Sequence, residues 1–333
     1  MATLHRKLLG LLPRLGVQVL DLGSGTALVY RRGVRRRVAL GRGADLVLSG
    51  RTAAYRYVPL GDSGARLLLD ERRAAADERG FQLAAASYLC GQHVTALLDR
   101  YAVNCVVDVG ANSGQYARQL RRLGYTGRIV SFEPTTETFG RLRKAAEGDP
   151  DWLVFRMGLG REDTSLSLHV GWKSMNSLLP PSDYGKDRYK RFARSRTEEI
   201  EVRRLDGMMD KVLDGITDPR PYLKMDTQGY DLEVFAGAGE RVAEFVGMQS
   251  EVAALRLYDG SPRMDEAIAL YEENGFEITG MYPVTREETT GRVVEFDCVM
   301  VRAAAVRRTT SSGSAAGRHR RGASRAAGPP HRP

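Results

Sequence analysis

The stretch VVDVGANSGQYARQLRRLGYTGRIVSFEP, residues 106–134, decides the fold. It begins with an apolar run ending in an acid, Asp108, and turns through Gly110 and Gly114. An amphipathic segment follows, then a second apolar run ending in Glu133. Strand-length apolar runs separated by helical spacing predict parallel strands joined by helical crossovers. The glycines suit a turn where backbone approaches a ligand closely, and the following helix N-terminus offers free N–H groups and a positive partial charge.

The same alternation runs outward from this stretch. FQLAAASYLCGQHVTALLDRYA, before it, has helical spacing. After it come ETFGRLRKAAE, the strand-like WLVFRMGLG, YLKMD before YDLEVFAGAGERVA, and FVGMQSEVA before MDEAIALYEENG. FEITGMYP and RVVEFDCVMVR end the series with no helix between them. The expected fold is therefore α/β: an open, mainly parallel sheet with helices on both faces and a C-terminal antiparallel hairpin over residues 81–302. Residues 1–80 are expected to form a small β-rich module behind a leading helix, because short runs such as TALVY and ARLLLD are separated by glycine turns. That block holds a second acid-glycine turn, VLDLGSGTALVY, residues 19–30. No amphipathic helix follows it and no strand ends in an acid at the matching distance, so it is expected to be a turn between short strands.

The net charge of +9 is unevenly placed. Residues 303–333 contain seven Arg and no acid, and residues 1–80 contain fifteen Lys or Arg against seven acids, so the middle of the chain is acidic. A basic total of this origin does not argue for a nucleic-acid enzyme. The tail, rich in Ala, Gly, Ser, Pro and Arg, is expected to be disordered. Cys90, Cys105 and Cys298 are far apart with no CxxC pair, which points to a reducing cytoplasm rather than a disulfide framework. No apolar run is long enough to span a bilayer, and the start of the chain reads as an amphipathic helix rather than a signal peptide.

The turn GANSG is G-x-x-x-G, so the tight pyrophosphate approach of the dinucleotide fingerprint is not encoded. Asp108 beside the loop would repel a phosphate and suits a cofactor with an ammonium group. Glu133 lies nineteen residues beyond Gly114, where an acid accepts bonds from ribose hydroxyls. S-adenosylmethionine has the ammonium, a sulfonium and the ribose diol; NAD fits less well.

VVDVGANSGQYARQLRRLGYTGRIVSFEP, with the later SMNSL, YLKMDTQGYDLEVFAGAG and MQSEV, resembles the FkbM-type methyltransferases over residues 86–302. The resemblance implies a class I, Rossmann-like fold that uses S-adenosylmethionine, usually to O-methylate hydroxyls of polyketides, sugars or lipids. It implies cofactor contacts from Asp108, Gly110, Asn112, Gly114 and Glu133, to which Gly158 and Asp226 are added. Its asparagine-serine-leucine motif falls on Asn176, Ser177 and Leu178, and its lysine-acid-glycine motif on Lys224, Asp226 and Gly229. Two positions depart from the family: Gln228 stands where members commonly have an acid, and Arg204 where they have Thr.

Methyl transfer to a hydroxyl is an in-line displacement helped by positioning and a general base. Asp226 and Glu251 end strand-like runs and are the candidate bases, with Lys224 two residues before Asp226 on the same sheet face. The two acids could also share a divalent ion. The insert 161–206, with His169, is expected to recognise the acceptor. Asn176, Ser177 and Tyr184 are its candidate contacts, and its polar middle is expected to act as a mobile lid. Six Lys or Arg between residues 186 and 196 leave RNA methylation as an alternative, and the departures leave a non-catalytic cofactor-binding scaffold as another. The expected partner is a small-molecule hydroxyl acceptor.

Overall fold

A computed structural model describes residues 77–303 and 305, without 172 and 195, together with the backbone of six strands between residues 17 and 70. The expected leading helix and most of the expected basic tail lie outside the described residues. The chain divides into two compact units, Met1–Gln82 and Leu83–Pro333.

In the first unit β1 (Val17–Gly23) pairs antiparallel with β2 (Thr26–Arg31), β3 (Arg36–Ala39) with β4 (Asp45–Leu48), and β5 (Tyr55–Pro59) with β6 (Arg66–Asp70). The acid-glycine sequence of residues 19–30 is the first of these hairpins. It is a turn between short strands, as its context predicts.

The second unit is built on seven strands: β7 (Cys105–Val109), β8 (Arg128–Phe132), β9 (Trp152–Phe155), β13 (Pro221–Met225), β14 (Gly247–Ala253), β15 (Phe276–Arg286) and β16 (Val293–Arg302). Their order is β15-β16-β14-β13-β7-β8-β9. The five from β14 to β9 are parallel, whereas β16 runs antiparallel to β14 and to β15. A short connection without a helix allows only this antiparallel hairpin.

Each central strand is buried on both faces, and alternate residues belong to different cores. Val106, Ile129, Tyr222 and Val299 pack against α1 (Glu78–Arg100), α2 (Gln115–Arg122) and α3 (Thr136–Ala146). Their neighbours Val107, Val130, Leu223 and Met300 pack on the opposite face. There they meet α5 (Met209–Leu213), α6 (Asp231–Gly237) and α7 (Met264–Glu273). Helix α1 reaches its core through Cys90, Val94, Leu97 and Leu98, spaced for one helical face.

The run WLVFRMGLG is not a single strand. It splits at Arg156 and Met157, and its second half, β10 (Gly158–Leu159), leaves the main sheet. It joins β11 (Thr164–Val170) and β12 (Arg196–Arg203) in a three-stranded sheet of order β10-β12-β11. The insert between β11 and β12 is docked, not free as a lid would be. Ser182 caps the short α4 (Asp183–Arg188) by accepting the Gly185 N–H at 3.0 Å, and donates to the Arg256 carbonyl at 2.8 Å. Phe192, Leu257, Tyr258 and Val294 close a separate apolar core beneath it.

Close backbone approach fixes where the small sheet meets α6. A Cβ on Gly237 would fall 1.9 Å from the Gly160 carbonyl oxygen. Gly237→Ala should therefore destabilise the protein by about 1–3 kcal/mol in urea denaturation. An unchanged midpoint would refute this packing.

Candidate functional site

A row of polar side chains crosses the sheet at one level, inside otherwise apolar strands. Ser131, Asp108, Lys224 and Gln249 are register partners on β8, β7, β13 and β14, so they share a face. Trp152 Nε1 donates to Ser131 Oγ at 3.0 Å, and Ser131 Oγ donates to Asp108 Oδ2 at 3.0 Å. Lys224 Nζ lies 3.3 Å from Asp108 Oδ1 and 3.5 Å from Asp226 Oδ2. Burial alone would lower the Lys224 pKa; the charges of Asp108 and then Asp226 more than reverse this, and the net shift is upward. The ammonium stays charged inside the sheet because two carboxylates face it.

Further along, Tyr116 Oη donates to Gln249 Oε1 at 3.2 Å, and Gln249 Nε2 donates to Asp297 Oδ1 at 2.9 Å. Burial raises the Asp297 pKa to about 6, against the opposing Gln249 N–H. Glu251 and Glu295 lie on the same face, as the pairing of Glu251 with Asp297 and of Ala253 with Glu295 requires. Burial and then Glu295 push Glu251 well above the ordinary carboxyl range; burial and then Asp226 push Glu295 to about 8.

The glycine turn closes one end of this row. Gly110 has φ +76°, and a Cβ there would fall 2.0 Å from the Asp226 carbonyl oxygen. Gly114 has φ +80° and sits on the Trp152 ring, 2.7 Å from where its Cβ would be. Asn112 is also left-handed, at φ +49°, with its own Oδ1 accepting the Ser113 N–H at 2.7 Å. Its N–H donates to Glu133 Oε2 at 3.1 Å, while Glu133 Oε1 accepts the Thr135 N–H at 3.0 Å and the Thr135 hydroxyl at 2.6 Å. Burial raises the Glu133 pKa, and the Thr135 and Asn112 bonds oppose it.

A cleft of about 280 Å³ opens above these groups. Gly110, Asn112, Glu133, Gly158, Asn176, Lys224 and Asp226, all singled out from sequence, line it together. Asp108 and Gly114 do not: Asp108 is wholly buried beneath Lys224, and Gly114 packs on Trp152. Glu251 lines a separate cavity of about 20 Å³ with Glu295. Ser177 is fully buried and donates to the Gln228 carbonyl at 2.8 Å, which ties the insert to the turn after β13. Tyr184 donates to Glu287 Oε1 at 2.7 Å, and His169 pairs with Ser177 through backbone bonds of 2.9 and 3.3 Å.

The two departures from the family pattern separate. Arg204 bonds Asp206 and the Arg161 carbonyl and does not line the cleft. Gln228 is central. It lies at φ +55°, and its Nε2 donates to Asp226 Oδ1 at 2.9 Å and to Glu251 Oε2 at 2.8 Å. The amide thus sits between the two acids that could have shared a cation. Among the described residues no group of three or more His, Cys, Asp or Glu is arranged to hold a metal.

Sequence reasoning passed over Tyr116, Gln249 and Asp297, which also line the cleft. A signal for Asp297 existed: in RVVEFDCVMVR, Glu295 and Asp297 interrupt a buried strand at a spacing of two and so share a face.

The residues fit S-adenosylmethionine on their chemistry. Acids outnumber the one lysine, which suits a cationic ligand. The Glu133 carboxylate has acceptor capacity beyond its three bonds. Met157, Leu159, Leu168, Leu178 and Ile200 supply an apolar wall for a flat base.

A parallel sheet with one antiparallel strand inserted near its edge, carrying an acid-lined cleft at the carboxyl ends of its strands, defines a class I methyltransferase. Residues 108–278 match the Methyltransferase FkbM domain, and the chain belongs to that family, whose methyl donor is S-adenosylmethionine. Similar curated proteins include 2-O-methyltransferase NoeI of Sinorhizobium fredii, 22% identical over 54% of this chain and 74% of that protein. Methyltransferase sdnD of Sordaria araneosa is 27% identical over 52% of this chain and 74% of its own length. Among solved structures, magnesium protoporphyrin IX methyltransferase from Synechocystis PCC 6803 aligns at 12% identity over 67% of this chain and 82% of that one, with a TM-score of 0.37. Among the described residues no helix is long and apolar enough to cross a membrane.

Removing the lysine should leave Asp108 buried without its cation. Lys224→Met is expected to cost about 3–5 kcal/mol in chemical denaturation, and Asp108→Asn in the same chain should restore part of the loss. The raised carboxyls give a second test. A carboxyl whose folded pKa exceeds its unfolded value binds more protons when folded, so its contribution to stability falls as pH rises. For Glu295 the window runs from about pH 4, the unfolded carboxyl range, to its folded value of about 8. The melting temperature of Glu295→Gln should therefore gain on that of the wild type as pH is raised through this window.

Proposed function

We propose that this methyltransferase acts on a hydroxyl oxygen of a small molecule and that its catalytic domain is residues 81–302. The observation that carries this reading is the placement of Asp226. Its carboxylate lines the cleft with 39% of its side chain exposed, with Lys224 beside one oxygen and the Gln228 amide bonded to the other. It ends a parallel strand, where α/β folds place their reacting groups. Bound S-adenosylmethionine supplies an electrophilic methyl group. Asp226 accepts the proton of the acceptor hydroxyl, and Lys224 and Gln228 keep its carboxylate aimed into the cleft.

On this reading Gly110, Asn112, Gly114 and Gly158 shape the cofactor cradle, and Glu133 takes the ribose hydroxyls. Asp108 acts from beneath, by holding Lys224. Asn176 faces the acceptor. Ser177 and Tyr184 fix the insert that carries it, and Glu251 steadies Gln228. The name of the Sinorhizobium relative, a 2-O-methyltransferase, supports oxygen as the target. In the basic run 186–196, Lys186 pairs with Asp183 and Arg188 bonds the Arg286 carbonyl, so two of its six cations have partners within the protein. Three buried free thiols suit a cytoplasmic enzyme.

Asp226→Asn should lower kcat for the accepted hydroxyl compound by about 10²–10⁴-fold, with S-adenosylmethionine affinity changed less than about tenfold, about 1.4 kcal/mol. Full turnover by this variant, or methyl transfer to nitrogen or carbon alone, would sink the proposal.

A further inference from the structure

We propose that Asp297 anchors the α-ammonium of the cofactor, which makes the inner end of the cleft, between α2 and strands β14 and β16, its amino-acid subsite. This rests on S-adenosylmethionine as the ligand of the cleft.

Three aspartates on one sheet face compete for that role. Asp108 is wholly buried, does not line the cleft, and is held by Ser131 and Lys224. Asp226 lies beside the same lysine and is bonded by Gln228 at the carboxyl end of β13. Asp297 lines the cleft, and among the described residues it forms no ion pair. Its Oδ1 accepts the Gln249 amide at 2.9 Å, which fixes the carboxyl group. Its Oδ2 has the Cys90 thiol at 3.9 Å as its neighbour, a weak and distant donor.

The surroundings suit a small cation with three N–H groups. Tyr116, bonded to Gln249, closes the side of α2, and the Lys224 ammonium lies over the Tyr116 ring at 5.4 Å, facing Asp108 and Asp226. A partly buried carboxylate without a cation partner is costly unless a ligand completes it. The chemistry that completes it is an ammonium, and the cofactor carries one. Asp226 is thereby left to the acceptor.

Equilibrium binding on the full chain tests this without turnover. Affinities are measured for S-adenosylhomocysteine and for its analogue lacking the α-amino group, in the wild type and in Asp297→Asn. The wild type should prefer the amino compound by about 10- to 100-fold, the range of a charge-assisted bond. In Asp297→Asn that preference should collapse toward one, with the analogue bound about as before. A preference that survives in Asp297→Asn, or that collapses in Asp226→Asn instead, overturns the assignment. The wild-type comparison needs no variant, and a wild type indifferent to the amino group overturns it too. A wild type that binds neither nucleoside overturns the cofactor reading beneath it.

Discussion

One lysine charge inside the sheet organises the second unit. Lys224 lies deep among apolar strands, and only Asp108 on one side and Asp226 on the other make that position tolerable. A buried cation with two carboxylates forces further order: Asp108 needs Ser131, and Ser131 is oriented by the Trp152 indole. The polar row, the glycine turn that sits on Trp152, and the cleft above Lys224 are consequences of the same electrostatic requirement. The cradle is thus set before any ligand arrives, which is what lowers the ordering cost of binding.

Much of this was legible in the sequence, for definite reasons. The alternation of apolar runs and amphipathic helices is a period-based signal, and it marked both the main sheet and its C-terminal hairpin. The acid-glycine turn was judged by its neighbours, and that criterion separated residues 106–134 from the imitation at residues 19–30. Strand parity placed Lys224 and Asp226 on one face. What stayed hidden was how the segments fold back in space. WLVFRMGLG reads as one strand because both halves are apolar, yet its second half joins another sheet. Ser177 looked like an acceptor contact, but its hydroxyl bonds the backbone of Gln228. The insert reads as a polar lid because its few large apolar residues are scattered; Phe192 and Tyr189 gather with Tyr258 only after the chain has turned. Gln249 is an ordinary letter until the strand order makes it the neighbour of Lys224.

The insert and the turn after β13 behave as one piece. Ser177 holds the Gln228 backbone in its left-handed conformation, Tyr258 bonds the Gln228 side chain, and the same tyrosine packs under Phe192. Gln228 therefore links the insert to both Asp226 and Glu251. A neutral amide there bridges the two acids without adding a third charge.

The polar row also bears on how the strands find one another. Side chains in a strand alternate between faces, so a slip of one residue in β13 would turn Lys224 into the opposite core, among Val107, Val130 and Met248. There it would meet no carboxylate, and Asp108 would lose its cation at the same moment. An apolar row would forgive such a slip, since one aliphatic side chain replaces another at small cost. A charged row does not. The groups that shape the cleft thus also hold the strands that carry them in register.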